Sequence, residues 1–400
     1  MADDMGYETL GVYGGSSYKT PNLDQLANDG MRFDHCYSTP LCTPSRVQIM
    51  TGKYNFRNYI GFGLLDPDAK TFGHYLKDEG YSTFIGGKWQ LLGNEHQQKL
   101  AGGKVGTTPE KAGFDDFCLW QIDQRGSRYK DPLLSTNTGL IKFEDKFGPD
   151  IFVDYIEKFM DENKEGPMFI YYPMVLTHDP FIPTPENLDF DGFDATAKVN
   201  DTLYFGEMVQ YMDKLVGRIM QKVETLGIED NTLLLFVGDN GTDRDVTSLW
   251  NGTSITGNKG YTTDAGTHVP LIAHWKGKIK KGSINDNLID FTDFLPTFME
   301  VATAKALDHT QTDGVSFYPQ LLGNNDNTRD WIFCHYEPNW GNFNPRRYVQ
   351  NNRWKLYGHG EFYDLENDIL EQNPLDTGIQ NEEVQTILKQ FQEVLSRYQK

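Results

Sequence analysis

The chain has 400 residues, and its 37 basic and 57 acidic side chains give a formal net charge of −20 at pH 7. Such an acidic surface repels nucleic acid and anionic lipid, so we exclude both as partners, and no apolar run approaches the roughly 20 residues that a membrane helix requires. Hydrophobic residues make up 38% of the chain, which is enough for a folded core, and the length allows one large domain with a smaller one.

Helical and strand patterns alternate over the first three hundred residues. Apolar residues at helical spacing predict helices over 20–31, 69–79, 150–163, 197–226 and 292–302. Short apolar runs predict strands over 81–85, 168–172 and 232–237. Residues 94–147 are polar and irregular, which predicts loops around a cleft. The alternation predicts an α/β fold with a large mixed, mostly parallel sheet sandwiched by helices.

Polar side chains follow the ends of these predicted strands. Lys88 comes after the first, His178 after the second, and the pair Asp239 and Asn240 after the third. Ligands of such sheets bind at the carboxyl ends of the strands. The strand pattern therefore predicts that these four residues contribute to one site.

A second candidate site surrounds Cys42, one of four cysteines that show neither zinc-ligand spacing nor the pattern of a disulfide framework. Pro44 suits the first turn of a helix that Gly52 can end. Cys42 would lie at the helix N-terminus, where the dipole favours negative charge, with Arg46 one turn along the same face. The alternative, a buried structural cysteine, is favoured by this segment alone.

Four oxygen-bearing side chains are candidate metal ligands: Asp3, Asp4, Asp239 and Asn240. Such a set suits calcium or magnesium better than zinc. Taken alone, a pair such as Asp3 and Asp4 is more often a turn or a solvated surface, whereas the pair Asp239 and Asn240, which ends an apolar strand, is more informative, although a plain turn remains an alternative.

Residues 42–46, Cys-Thr-Pro-Ser-Arg, resemble the signature of the type I sulfatases of the alkaline phosphatase superfamily, in which the cysteine is oxidised to Cα-formylglycine. The similarity continues in the family's order through segments 3–7, 11–14, 20–27, 87–89, 178–180, 238–241 and 259–260. It implies hydrolysis of sulfate esters, with a sulfated carbohydrate as the expected substrate and small aryl sulfates as artificial ones. It also implies a formylglycine-generating maturation enzyme as a partner and calcium as the usual metal, with magnesium possible.

The resemblance assigns a role to each candidate site residue. Hydrated formylglycine at position 42 would supply the nucleophile and, with the four oxygen ligands above, bind the metal. Arg46 would hold the diol, Lys88 and Lys259 would bind sulfate, and His178 would protonate the leaving alcohol, together with Lys259. Gln90 stands where the family commonly has a histidine; it can contact substrate, but it cannot act as a base at neutral pH.

The resemblance also bears on both ends of the chain. The family places a hydrophobic strand before the acidic pair, so we expect a shortened N-terminus, frayed aspartates and weaker metal binding. The first residues indicate no compartment, whereas the family suggests a periplasmic or secreted full-length protein. Landmarks near 313–317, 353–357 and 362–365 imply a catalytic domain over 1–310 and a C-terminal subdomain over 311–400, with a small antiparallel sheet and a final helix near 381–398.

Two alternative functions remain open. Phosphate and phosphonate esters share the shape of sulfate esters, so a hydrolase of that kind could use the same framework. Gln90 and the shortened N-terminus also allow a catalytically silent, glycan-binding homologue. Candidate sugar contacts, each more commonly a surface or packing residue, are Trp120, Arg125, Arg128, Trp340, Arg346 and Arg347.

Overall fold

Strands and helices alternate along most of the chain in the computed structural model, which describes residues 1–194, 202–308, 310–378 and 381–398. The strands are β1 Met31–Tyr37, β2 Ser82–Lys88, β3 Asp116–Trp120, β4 Leu133–Thr136, β5 Gly139–Lys142, β6 Met168–Tyr171, β7 Leu234–Val237, β8 Thr247–Trp250, β9 Thr253–Thr256, β10 His268–His274, β11 Ser283–Asp290, β12 Ile332–Tyr336, β13 Arg346–Gln350, β14 Trp354–Tyr357 and β15 Phe362–Asp364. The helices are α1 Pro21–Asp29, α2 Cys42–Thr51, α3 Asn55–Asn58, α4 Phe72–Asp78, α5 Glu95–Leu100, α6 Gly148–Asn163, α7 Phe205–Thr225, α8 Asp264–Thr267, α9 Phe294–Thr303, α10 Tyr318–Leu321 and α11 Glu382–Arg397.

Two mixed sheets form the centre of the molecule, one in the order β11-β1-β10-β7 and the other in the order β5-β4-β3-β2-β6. The pairs β1–β11, β2–β3 and β2–β6 are parallel, whereas β1–β10, β7–β10, β3–β4 and β4–β5 are antiparallel. The first residues join the sheets, because the Ala2 N–H donates to the Val237 oxygen and the Asp3 N–H to the Leu176 oxygen, both at 2.8 Å.

Helices cover both faces of these sheets. Alternate strand residues point to opposite faces, so Phe84 and Phe236 pack against α6 and α7, whereas the adjacent Ile85 and Val237 pack against α2, α4 and α9. Burial on both faces explains why these strands read as continuous apolar runs. The predicted α/β class and its helical layers are confirmed.

An apolar groove of about 380 Å³ separates the two sheets beyond Met1. The edges of β6 and β7 line it from opposite sides, with residues such as Ile170 and Leu235. At its end the Met1 amino group donates to the Tyr172 oxygen at 2.8 Å, and burial lowers the pKa of that amine to about 5. The groove thus lies along the edges of both strands; the expected first strand itself stays a prediction.

The C-terminal sheet is antiparallel throughout, in the order β12-β13-β14-β15. One face packs against α11 through residues such as Phe333 and Phe391. The other face packs against the segment around Cys42 through Tyr336 and Tyr348. This confirms the predicted small sheet and final helix, whereas the division at residue 310 stays a prediction.

The irregular region predicted over 94–147 is wrong, because it contains α5 and the strands β3, β4 and β5. The strand β5 escaped detection because three of its four residues are exposed and it shows no apolar run. The start of the helix predicted over 197–226 lies partly outside the described residues, and α7 begins at Phe205. None of the helices in the described ranges combines the length and apolarity needed to cross a bilayer.

A buried ion pair beneath α2 should be costly to break. The Arg329 Nε donates to both carboxylate oxygens of Asp293, at 2.8 and 2.7 Å. We expect Arg329→Met to lower the free energy of unfolding by about 3–5 kcal/mol, because it leaves a buried charge unpaired. Arg353→Met is the matched control: Arg353 binds Asp364 with 47% of its side chain exposed, so the loss should be far smaller than in Arg329→Met. Urea denaturation measures both, and equal losses would contradict the expectation.

Candidate active site

Cys42 is the first residue of α2 and lies at the centre of the site. Its side chain is only 3% exposed, and the turn before it is fixed because the Ser45 hydroxyl accepts from the Thr39 N–H at 3.1 Å and donates to the Thr39 oxygen at 2.9 Å. The helix ends at Gly52, whose φ of 62° is left-handed. The predicted helix is confirmed, with the cysteine at its N-terminus.

Acidic side chains from two distant segments meet beside this cysteine. Asp3 and Asp4 come from the N-terminal segment, and Asp239 and Asn240 follow β7; all four are buried. The Asp4 N–H donates to the Asp239 Oδ1, and the Asn240 Nδ2 donates to the Asp4 Oδ1, both at 2.9 Å. Ligand atoms of Asp3, Cys42 and Asp239 lie within 4.8 Å of one another. The backbone contacts of the first residues hold Asp3 and Asp4 in place, so the expected fraying does not occur.

Two lysines neutralise two of these carboxylates. The Lys88 Nζ lies 3.0 and 2.8 Å from the two oxygens of Asp3, and the Lys259 Nζ donates to Asp4. Burial would raise the pKa of Asp3, but Lys88, His178 and Lys259 lower it further, to well below its usual range. Burial would likewise lower the pKa of Lys259, yet Asp4 and Asp3 raise it well above normal. Both groups are therefore held in their charged forms.

The donor set fits a hard divalent cation. The Asn240 Oδ1 is buried and has no hydrogen-bond partner among the described residues, although a buried polar atom is costly unless it is paired. Burial and the charges of Asp3 and Asp4 raise the pKa of Asp239 well above its usual value. A cation bound between these oxygens would remove both costs, and calcium and magnesium prefer such ligands.

Arg46 lies near the cysteine but forms its hydrogen bonds elsewhere. It donates to the carbonyl oxygens of Trp89 and, at 3.4 Å, Lys88. Its Nε and second terminal nitrogen are buried and unpaired within the described part of the chain. A buried guanidinium with free N–H donors is suited to bind an anionic or hydroxylic ligand.

Among the described residues, no hydrogen bond links the side chain of Gln90 to this cluster. Its backbone N–H donates to the Gln121 oxygen at 2.9 Å, and its φ of 46° is left-handed. The predicted contact of Gln90 with a substrate stays a prediction.

His178 completes the site together with Asp179 and Arg128. The sequence pattern did not predict that these two residues contact His178. The His178 Nε2 lies 3.2 Å from the Lys259 Nζ, and its Nδ1 lies 2.7 Å from the Asp179 Oδ1. Arg128 donates to the Asp179 backbone oxygen and stacks 4.7 Å from the centre of the Trp120 ring. The hydrogen bond with His178 lowers the pKa of Asp179 well below normal. The available signals for Asp179 were its position next to His178 and its place in the motif segment 178–180.

Two family models together match the whole chain. The sulfatase model matches residues 1–304, and the model of the C-terminal part of N-sulphoglucosamine sulphohydrolase matches residues 257–400. The chain belongs to the sulfatase family. Its membership explains why motif residues spread over more than two hundred positions meet at one point.

Other sulfatases resemble this chain in sequence and in structure. Arylsulfatase A of Bos taurus is 30% identical over 83% of this chain and 69% of its own length. N-acetylgalactosamine-6-sulfatase of Rattus norvegicus is 28% identical over 80% of this chain, which spans 64% of that relative. The solved structure of Ps i-CgsB in complex with k-i-k-neocarrahexaose has a TM-score of 0.80 and 23% identity, covering all of this chain and 91% of the other. That structure shows the same fold.

Proposed function

We propose that this sulfatase hydrolyses sulfate esters of carbohydrates, with residue 42 as the nucleophile after its conversion to Cα-formylglycine. The observation that carries the proposal is the meeting of Cys42 with buried carboxylates and with Lys88 and Lys259. An anionic ester needs a local cluster of cations in a protein whose net charge is −20. The relative named N-acetylgalactosamine-6-sulfatase supports a sugar substrate.

Asp3, Asp4, Asp239, Asn240 and residue 42 would hold a divalent cation, for which we propose calcium, with magnesium as the alternative. When bound, such a cation supplies positive charge that lowers the pKa of a hydroxyl group on residue 42. The unpaired Asn240 Oδ1 and the crowded carboxylates support this assignment.

Hydrated formylglycine at position 42 would offer two hydroxyl groups, one to attack sulfur and one to expel sulfate and restore the aldehyde. In the first step the bond between sulfur and the sugar oxygen breaks, and the sugar leaves as an alcohol with one added proton. A cysteine thiol has only one nucleophilic atom and cannot carry out the second step. Because Cys42 is buried, we propose that the maturation enzyme acts before the chain folds.

The remaining side chains bind sulfate and move protons in this proposal. Lys88 and Lys259 would bind the sulfate oxygens, and Arg46 would hold the diol and offset negative charge. Lys259 and His178 lie 3.2 Å apart, so either can donate the proton that the departing alcohol requires. Asp179 orients the His178 ring through its Nδ1. Gln90 accepts no proton at neutral pH, so sulfate release needs another acceptor or is slow.

Two broader assignments accompany this function. We propose a periplasmic or secreted location for the full-length protein, following the family. We also propose that residues 1–310 form the catalytic domain and 311–400 a subdomain that closes one side of the site.

Release of inorganic sulfate from a panel of sulfated monosaccharides and disaccharides tests the proposal. We expect calcium-dependent release that is absent in Cys42→Ala. Matched phosphate esters should turn over far more slowly; preference for phosphate would establish the phosphate-ester alternative. Saturable binding of the sulfated sugars without sulfate release, in protein whose residue 42 is formylglycine, would instead establish the glycan-binding alternative.

A further inference from the structure

A second pocket, of about 240 Å³, lies between the C-terminal sheet and the segment Gly260–Thr263. This volume is below the roughly 300–1,000 Å³ of pockets that hold drug-sized ligands, so the pocket suits a group no larger than a single sugar ring. Tyr261 and Phe343 line it with rings 5.5 Å apart and nearly perpendicular. Aromatic faces with a few polar groups at the rim are typical of small-molecule sites.

The pocket adjoins the proposed catalytic centre, because the segment that lines it follows directly from Lys259. The Gly260 N–H donates to the Pro40 oxygen at 2.8 Å, two residues before Cys42, and the Gly260 oxygen accepts from the Tyr336 hydroxyl at 2.9 Å. Tyr336 lines the pocket and packs in the same apolar cluster as Cys42. The pocket and the proposed catalytic centre are therefore adjacent, with Gly260 and Tyr336 between them.

Among the described residues that line the pocket, Arg346 forms no direct ion pair, although its charge helps to lower the pKa of Glu361. Glu361 pairs with the His359 Nε2 at 2.9 Å, and the buried Glu371 pairs with the Lys355 Nζ at 2.8 Å. In the described part of the chain, the hydrogen bonding of Arg346 is limited to a weak donation to the Pro345 oxygen at 3.4 Å. Arg346 lies opposite Tyr336 in the pairing of β12 with β13, so both side chains lie on the same face of the sheet.

We propose that this pocket binds the sugar next to the one that loses its sulfate, and that Arg346 binds an acidic group on that neighbour. The inference rests on the proposed function and deepens it, because it assigns the substrate to acidic oligosaccharides of at least two units. A guanidinium forms planar, paired hydrogen bonds with a carboxylate or a sulfate. The rings of Tyr261 and Phe343 would contact the apolar face of the same sugar.

The test compares Arg346→Gln with the unchanged chain on three probes: N-acetylgalactosamine 6-sulfate, the disaccharide that joins it to glucuronic acid, and the methyl ester of that disaccharide. We expect kcat/KM for the acidic disaccharide to fall roughly tenfold to hundredfold, since one charge-assisted contact is lost. The other two probes should change by less than about twofold. Arg346→Lys should restore only part of the loss, because a lysine cannot form the planar pair.

Arg397→Gln on α11 is the matched control, since it removes the same charge from an exposed arginine outside the pocket. It should leave all three probes unchanged. An equal fall of Arg346→Gln on all probes, or no fall on the acidic disaccharide, would overturn the inference while leaving the sulfatase proposal intact. Calorimetry with the unsulfated acidic disaccharide tests the pocket without turnover, and equal affinity in both proteins would also overturn it.

Discussion

Replacement of Cys42 with alanine is expected to lower sulfate release by a factor on the order of 10⁴–10⁶, which is the loss typical of removing a catalytic nucleophile. Alanine carries no nucleophilic atom, and the nearby carboxylates of Asp3 and Asp239, whose ligand atoms lie within 4.8 Å of the Cys42 sulfur, are assigned to the metal. The measurement is sulfate release from a sulfated sugar by protein produced together with a formylglycine-generating enzyme.

Cys118→Ala is the matched control for this variant. Cys118 is as deeply buried, in β3, and burial raises the pKa of its thiol to well above normal. The change removes the same sulfur atom from the core, so it should cost stability but retain turnover. Mass spectrometry of the peptide over residues 37–53 should show formylglycine at position 42 in active protein. Unchanged turnover in Cys42→Ala would contradict the proposed mechanism.

Asp239→Asn is expected to keep or raise the melting temperature in the absence of calcium and to lower it, relative to the unchanged chain, in the presence of calcium. In a chelator, burial and the charges of Asp3 and Asp4 raise the pKa of Asp239, so its ionised form opposes folding at neutral pH. The neutral amide keeps the shape and can still accept from the Asp4 N–H, so the melting temperature should stay equal or rise. With calcium, the variant should lose most of the stabilisation, which is about 2.7 kcal/mol at a hundredfold excess over Kd.

Asp213→Asn provides the control for a buried aspartate outside the site. Burial raises the pKa of Asp213 as well, but its carboxylate accepts from the N–H groups of Asn22 and Leu23 at the start of α1. That variant should lose stability in chelator and keep its full response to calcium. Differential scanning calorimetry in both conditions measures the four cases; an undiminished calcium response in Asp239→Asn would exclude Asp239 as a ligand.

The sequence was sufficient for the parts of the fold that depend on local signals. Pro44 and Gly52 mark the ends of α2, and the apolar runs before Lys88, His178 and Asp239 mark strands whose ends converge. The strand β1 went unrecognised because its pairing shifts register between Phe33 and Cys36, which breaks the alternation that a pattern search requires. Local signals do not reveal such irregular pairing.

Contacts between segments that are distant in the chain also could not be predicted from the sequence. Arg128 reaches His178 and Asp179 across fifty positions of chain, through strands β3 to β5 that add a mixed edge to the sheet. Arg346 likewise acquires its significance only from its pairing opposite Tyr336. Such placements follow from sheet order, which depends on long-range pairing rather than on composition.

The groove between β6 and β7 should make amide hydrogen exchange uneven within the central sheets. The Met1 amine donates to the Tyr172 oxygen and the Ala2 N–H to the Val237 oxygen, so strand alternation turns the amides of Ile170 and Leu235 toward the groove. Because the described residues place no backbone acceptor in the groove, these two amides should take up deuterium much faster than those of Phe84 or Ile272, which pair inside the same sheets. A short apolar peptide that bound in the groove would slow the exchange of both amides together.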